Sequence, residues 1–177
     1  MQDNYGIDQY VRSIPDFPEP GIIFRDVTSI IQSPDGLKVT IDGLLERLQG
    51  VDFDVVLGPE SRGFIFGMPV AYAMGKGFVP VRKKGKLPCE TIEKEYELEY
   101  GTAVIEMHKD AINPGDKVVI VDDLIATGGT IEAITEMVES LGGEVVRIQF
   151  VMELAGLKGR DKLSKYDVDS LLVYDGK

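Results

Sequence analysis

The chain has 177 residues, 44% hydrophobic and 28% charged, enough for one globular unit with a sizeable core and unlike a fibrous or disordered chain. A formal net charge of −11 argues against nucleic acid or an anionic membrane as the main partner, so an anionic substrate would need locally placed cations. Cys89 and His108 are the only residues of their kinds, which excludes an internal disulfide and a Cys/His metal cluster; both read as ordinary packed or exposed side chains.

Taken in chain order, MQDNYGIDQY has neither a basic region nor an apolar run, so no signal peptide is expected. Ile7, Tyr10, Val11 and Ile14 are spaced as one face of a short helix. PDFPEPG (15–21) then forces an extended or turning path, because proline cannot continue a helix. Ser33-Pro34 reads as an N-cap followed by a first-turn proline, with Leu37, Ile41, Leu44, Leu45 and Leu48 at helical spacing behind it. DVVLG (54–58) is a short buried strand, PESRG a loop, and 64–74 an apolar helix that contains Gly67 and Pro69 and is too short to span a bilayer. GFVPV (77–81) and KVVIV (117–121) are further strands. Ile131, Ile134, Met137, Val138 and Leu141 mark a helix ended by Gly142-Gly143, and EVVRIQFVM (144–152) is the next strand.

Strands that read as continuous apolar runs and alternate with helices predict an α/β fold with a parallel sheet covered on both faces. Ligands of such folds bind at the carboxyl ends of the strands. Pro59–Gly63 and Asp122-Asp123 both fall at such ends, which predicts one shared pocket. A cytoplasmic protein with no membrane partner is expected.

In VVIVDDLIATGGT (118–130), a glycine loop opens a helix. The backbone N–H groups around Thr127, Gly128, Gly129 and Thr130, two threonine hydroxyls and the positive end of the helix dipole suit a phosphate monoester. The loop is neither a P-loop nor a dinucleotide fingerprint, and the plainer reading is a strand–helix turn. Asp122 and Asp123 repel phosphate but accept hydrogen bonds. They make sense one step along a ribose 5-phosphate, where the 2- and 3-hydroxyls donate and Mg²⁺ can sit nearby; the plainer reading is one loop cap and one solvated acid.

VVIVDDLIATGGT resembles the phosphoribosyl-pyrophosphate signature of the type I phosphoribosyltransferases. PGIIFRDVTSI (20–30), GPESRGFIFG (58–67), VRKKGKLP (81–88), LEYGTA (98–103) and MELAGLKGRDKL (152–163) resemble, in order, segments of those members that act on adenine. The resemblance covers nearly the whole chain. It implies a single domain over 1–177: a mostly parallel twisted sheet flanked by helices, a small purine-binding hood within 1–33 and a mobile lid over 83–105. It implies transfer of the phosphoribosyl group to adenine with expulsion of pyrophosphate, and a homodimer. The 5′-phosphate would lie on Ala126, Thr127, Gly128, Gly129 and Thr130, and the ribose on Asp122 and Asp123. Ser61, Arg62, Arg82, Lys83 and Lys86 would take the pyrophosphate, with Mg²⁺ held mainly through the substrate rather than by dedicated side chains. Ile23, Phe24, Arg25 and Leu154 would surround the base.

Residues 83–102 carry Gly85, Pro88 and many charges and read as an exposed hairpin or mobile loop outside the core. A mobile cover suits the chemistry, because the ribosyl centre becomes cation-like as pyrophosphate leaves and water would capture it. Glu93, Glu95, Glu97 and Glu99 alternate with Lys94, Tyr96, Leu98 and Tyr100, so a strand would place all four acids on one face; by itself that is a solvated acidic face. The resemblance of LEYG singles out Glu99 as the catalytic, proton-handling residue near the purine, with Tyr100 as its neighbour in the lid. ELAGLKGRDKL stands where relatives acting on 6-oxopurines carry a lysine-containing PDKFVVGY-like segment, which counts against hypoxanthine and guanine. Two alternatives stay open: a transferase for xanthine or a pyrimidine, and a non-catalytic regulator that senses phosphoribosyl pyrophosphate. The acidic net charge, and a resemblance that begins near the first residue, weigh against the regulator.

Overall fold

The computed structural model describes residues 1–98 and 101–176. The strands, in chain order, are β1 (Gln2–Asp3), β2 (Arg12–Pro15), β3 (Ile23–Asp26), β4 (Val55–Pro59), β5 (Gly77–Lys83), β6 (Thr91–Leu98), β7 (Gly101–His108), β8 (Lys117–Ile125), β9 (Glu144–Leu154) and β10 (Val168–Tyr174). The helices are α1 (Thr28–Gln32), α2 (Pro34–Arg47), α3 (Arg62–Met74), α4 (Gly129–Ser140) and α5 (Gly159–Lys162).

Eight strands form one sheet in the order β1-β10-β9-β8-β4-β5-β7-β6. The five from β10 to β5 run parallel, while β1 at one edge and β7-β6 at the other run antiparallel. The expected α/β sheet is therefore mostly parallel, with antiparallel extensions at both edges. Alternation along β8 divides the core in two. Val118 and Ile120 pack with Leu57, Phe150, Ile134 and Met137 under α4, and Val119 and Val121 pack with Val56, Phe66, Val70 and Leu44 under α2 and α3.

Ser33 caps α2 as expected, its side chain accepting from the Gly36 N–H, with Pro34 in the first turn. Gly142, at φ +88°, closes α4. Three expectations need correction. The apolar spacing of Ile7 to Ile14 does not make a regular helix: one 3₁₀ turn at Asp8–Tyr10 is followed by β2. The Asp3 carboxylate accepts from the N–H groups of Tyr5, Ile7 and Asp8, a local alternative to helical bonding. The apolar helix begins at Arg62 rather than 64, directly on the PESRG loop. The third strand does not stop at Val121. It continues through both aspartates to Ile125, because the eleven-residue β9 supplies partners as far as Ile125↔Glu153, whereas pairing with β4 ends at Leu57↔Ile120.

The segment read as lying outside the core is a β6–β7 hairpin whose Ile92 and Tyr96 pack against the α4-side cluster. Ile105 and Met107 of β7 are buried in that cluster. Strands β2 and β3 form a separate two-stranded hood. It is tied to the main sheet where the Arg25 guanidinium lies 4.0 Å over the ring of Tyr174, whose hydroxyl donates to Asp8 (2.6 Å).

Replacing Ser33 with alanine leaves the first turn of α2 uncapped. Ser33→Ala is expected to lower unfolding free energy by about 0.5–2 kcal/mol, and Ser33→Gly by only a few tenths. Urea denaturation of the three proteins checks this.

Candidate active site

The carboxyl ends of β4, β5 and β8 open on two adjoining recesses. The first, of about 110 Å³, is lined by Asp122 and by Leu124 to Ile131. The second, of about 390 Å³, is lined by Pro59, Glu60, Ser61, Arg62, Lys83, Tyr96, Asp122, Asp123, Leu124 and Thr130. Asp122, Leu124 and Thr130 belong to both, so the two recesses meet at Asp122, with Asp123 on the second alone.

The first recess is a backbone feature. Gly128 adopts φ +78° and ψ −5° at the N-cap of α4, a conformation that costs a residue with a Cβ appreciable energy. The chain then turns into twelve residues of helix, whose first N–H groups have no intrahelical acceptor and sit at the positive end of the dipole. The two glycines differ. A Cβ on Gly128 would lie 2.5 Å from the Gly159 carbonyl oxygen, whereas one on Gly129 would meet the Glu97 carbonyl oxygen of the β6–β7 hairpin at 3.4 Å.

The second recess carries the charge. Arg62 opens α3 and its Nε donates to Asp123, which is buried. Lys83 ends β5 and lines the recess. Arg82 and Lys86 are not among its lining residues. Arg82 donates from Nε to Glu60 (2.7 Å) and from an Nη to the Lys86 carbonyl (3.3 Å), so it holds the VRKKGK turn against the PESRG loop. The same turn is anchored by Glu106, a buried acid of β7 that accepts from the N–H groups of Lys86 and Leu87, both at 2.7 Å. Burial alone would raise the Glu106 pKa; the N–H groups of Leu87, Gly85 and Lys86 and the charge of Lys84 outweigh it and hold it below the ordinary value. Glu60 and Glu106 escaped sequence reading: alternation puts Glu106 on the strand face opposite Ile105 and Met107, where an acid reads as solvated, and only the turn packed over it buries it.

The two aspartates are not equivalent. The Asp123 carboxylate is matched by Arg62. Asp122 accepts from the Asp123 N–H (2.8 Å) and faces the Cα of Gly63 so closely that a Cβ there would lie 3.0 Å from Asp122 Oδ1. Burial, and after it the charge of Asp123, push the Asp122 carboxyl well above the usual carboxylate range. One acid is thus ion-paired and the other biased toward its neutral form, which is how an acidic pair can border a site for anions.

In the β2–β3 hairpin, where the base is expected, Phe24 is partly exposed and is met edge-on by Phe17, with centroids 5.3 Å apart. Ile23 is exposed, and Leu154 sits opposite Tyr174 in the β9–β10 ladder, the residue on which Arg25 stacks. Arg25 and Leu154 therefore approach the same end of the sheet. Ser61 is the N-cap residue of α3. The roles expected of Glu99 and Tyr100 lie outside the described residues. Glu93, Glu95 and Glu97 are exposed along β6, and Glu93 pairs with Lys84.

The fold and these recesses define a phosphoribosyltransferase: the family model described as a phosphoribosyl transferase domain matches residues 29–175, and the chain belongs to that family. Within it, the chain is 70% identical over 171 residues to the adenine phosphoribosyltransferase of Lachnoclostridium phytofermentans, covering 97% of this chain and 98% of that protein. The crystal structure of adenine phosphoribosyltransferase from Thermoanaerobacter pseudethanolicus superposes with a TM-score of 0.91 at 54% identity, covering 95% and 98% of the two chains. That of the Saccharomyces cerevisiae adenine phosphoribosyltransferase, in complex with adenine and an imino-altritol bisphosphate, superposes with a TM-score of 0.87 at 45% identity, over 94% and 96%.

The raised Asp122 pKa has a definite sign in stability. A group whose pKa is higher in the folded state contributes stability that is full below its unfolded pKa, about 4 for aspartate, and is lost as pH rises through the folded value. Asp122→Asn removes that slope, so the ligand-free variant should gain in stability relative to the parent between pH 4 and 8. Thermal unfolding midpoints of both proteins across this range check it; a difference independent of pH would contradict the assignment.

Proposed function

We propose that this protein transfers the 5-phosphoribosyl group of phosphoribosyl pyrophosphate to adenine, giving AMP and pyrophosphate, a step of purine salvage. The observation that carries the reading is the junction of the two recesses: a backbone-lined seat for one phosphate and a cation-lined seat for another, joined at Asp122 with Asp123 beside it. The 5′-phosphate takes the 126–130 backbone, and the ribose hydroxyls donate to Asp122 and Asp123. The pyrophosphate lies toward Ser61, Arg62 and Lys83. To bind, it competes with Asp123 for Arg62, and the incoming ribose hydroxyls donate to the freed carboxylate.

Among the described residues, no three His, Cys, Asp or Glu side chains converge as a metal cage. The donor set at the junction is carboxylate oxygen, which fits Mg²⁺ held by one or two protein ligands and otherwise by substrate oxygens and water. Bound there, the ion would neutralise charge on the leaving pyrophosphate. Ile23, Phe24, Arg25 and Leu154 enclose the purine, with Phe24 offering a stacking face. As adenine N9 bonds to C1 of the ribose, the C1–O bond to pyrophosphate breaks and its electron pair leaves with the pyrophosphate; the base loses one proton. Glu99 accepts that proton from N7 of the N7–H tautomer of adenine, with Tyr100 next to it in the sequence. The hairpin shields the cation-like centre from water, and the Lys94–Glu136 ion pair between β6 and α4 favours its docked position.

The assembly is a homodimer in this reading. Ile65, Met68 and Tyr72 lie exposed along one stripe of α3, an apolar face next to Arg62 of the kind that two-fold contacts cover. Among the described residues, no helix is long and apolar enough to cross a membrane, and the exposed free thiol of Cys89 suits a reducing cytoplasm.

Two measurements test the function. In a panel of bases with phosphoribosyl pyrophosphate and Mg²⁺, pyrophosphate release should occur with adenine and not with hypoxanthine, guanine, xanthine or uracil; turnover of another base in place of adenine would overturn the substrate. In single-turnover AMP formation, Glu99→Gln should lower the rate about 10²–10⁴-fold, while Glu93→Gln, Glu95→Gln and Glu97→Gln stay near the parent value. A Glu99→Gln rate within about threefold of the parent, well short of the usual loss, would move the proton-handling role elsewhere.

A further inference from the structure

Beyond the residues that face the recesses, one charged cluster sits directly behind the phosphate seat. Glu153 is buried near the end of β9, beside Ile125, the residue from which β8 leaves for the glycine loop. Arg160, in the four-residue α5, donates from Nε to both Glu153 carboxylate oxygens (2.8 and 2.7 Å), and from its other nitrogens to the Val168 carbonyl (2.6 Å) and the Ser170 hydroxyl (3.2 Å). Ser170 in turn donates to Glu153 (2.9 Å). Every arm of the arginine fork thus has an acceptor, and a planar fork so held has one orientation.

Gly159 immediately precedes this arginine and meets the glycine loop backbone to backbone. A Cβ on Gly159 would stand 2.4 Å from the Ala126 carbonyl oxygen, and a Cβ on Gly128 would stand 2.5 Å from the Gly159 carbonyl oxygen. Neither distance admits a side chain, and the obstructing atoms are backbone in both cases. The two glycines therefore interlock, and the conformation of Gly128, which aims the loop N–H groups, leans on the position of Gly159.

We infer that Glu153 and Arg160 are positioning residues for the 5′-phosphate seat: their ion pair fixes Gly159 against Gly128 and so holds the 126–130 backbone in the shape that receives phosphate. The inference rests on the proposed reaction. It assigns to LKGR (157–160) a role as the wall behind the loop, with no contact to substrate.

The test compares ligands with and without the phosphate. Calorimetric affinities for AMP and for adenine are measured on the full chain for the parent, Gly159→Ala, Arg160→Lys and Glu153→Gln, each well below its own unfolding temperature. The variants should bind AMP roughly 10- to 100-fold more weakly, as expected when pre-organised groups are displaced by about 1 Å, with adenine affinity unchanged. A merely structural role would lower Tm while leaving the AMP-to-adenine affinity ratio at its parent value, and that outcome overturns the inference. If Gly159→Ala does not fold, Arg160→Lys, which keeps the charge but loses the fork, decides alone. Failure of the parent itself to bind AMP would instead overturn the proposed reaction, and this inference with it.

Discussion

Two carboxylates on consecutive residues of β8, placed where β4 stops pairing, set the terms for the rest of this site. Neighbouring acids taken out of water cannot both stay charged without compensation. Here Arg62 from the first turn of α3 matches Asp123, and Asp122 is pushed toward its neutral form. For that arginine to reach β8, the PESRG turn must bring the start of α3 against the strand. Gly63 permits it: a Cβ there would come within 2.7 Å of the Pro59 ring and 3.1 Å of the Val121 carbonyl oxygen. The electrostatic problem and the tight strand–helix turn are one requirement seen from two sides.

The same economy governs the first recess, proposed as the phosphate seat. Its walls are largely backbone, and backbone walls must be held by other backbone. Gly128 rests on Gly159, and Gly58 packs against the Gly63 and Val121 carbonyls. Side-chain charge enters one layer further out, where it fixes loops: Arg82 on Glu60, Glu106 on the amides after Lys84, Arg160 on Glu153. An acidic protein can thereby present cations toward an anionic ligand without leaving those of the supporting layer unpaired.

Hood and lid are attached at opposite edges of the parallel strands. The hood hangs on Arg25 over Tyr174, while its own Phe17 and Phe24 rings meet edge-on within it. The lid hairpin rests on α4 through Ile92, Tyr96 and one exposed ion pair. The hairpin is nonetheless part of the sheet, with Ile105 and Met107 of β7 buried in the α4-side core, whereas β2–β3 forms a separate two-stranded sheet.

Local patterns in the chain were enough to determine the parallel strands, the cap at Ser33, the helix stop at Gly142 and the placing of Pro59–Gly63 beside Asp122-Asp123, because apolar period, proline and glycine act over a few residues. The pairing of like-minded loops was also legible, since strand ends in such sheets share one edge. Tertiary structure alone decided that β8 runs on to Ile125, that Ile7 to Ile14 do not form a regular helix, and that Ile92 and Tyr96 pack half-buried against the α4-side core. It alone separated Asp122 from Asp123 and gave Glu60, Glu106, Glu153 and Arg160 their partners. Those outcomes depend on which distant backbone comes within hydrogen-bonding reach and how far water is displaced, and neither distance nor dielectric is written in the order of residues.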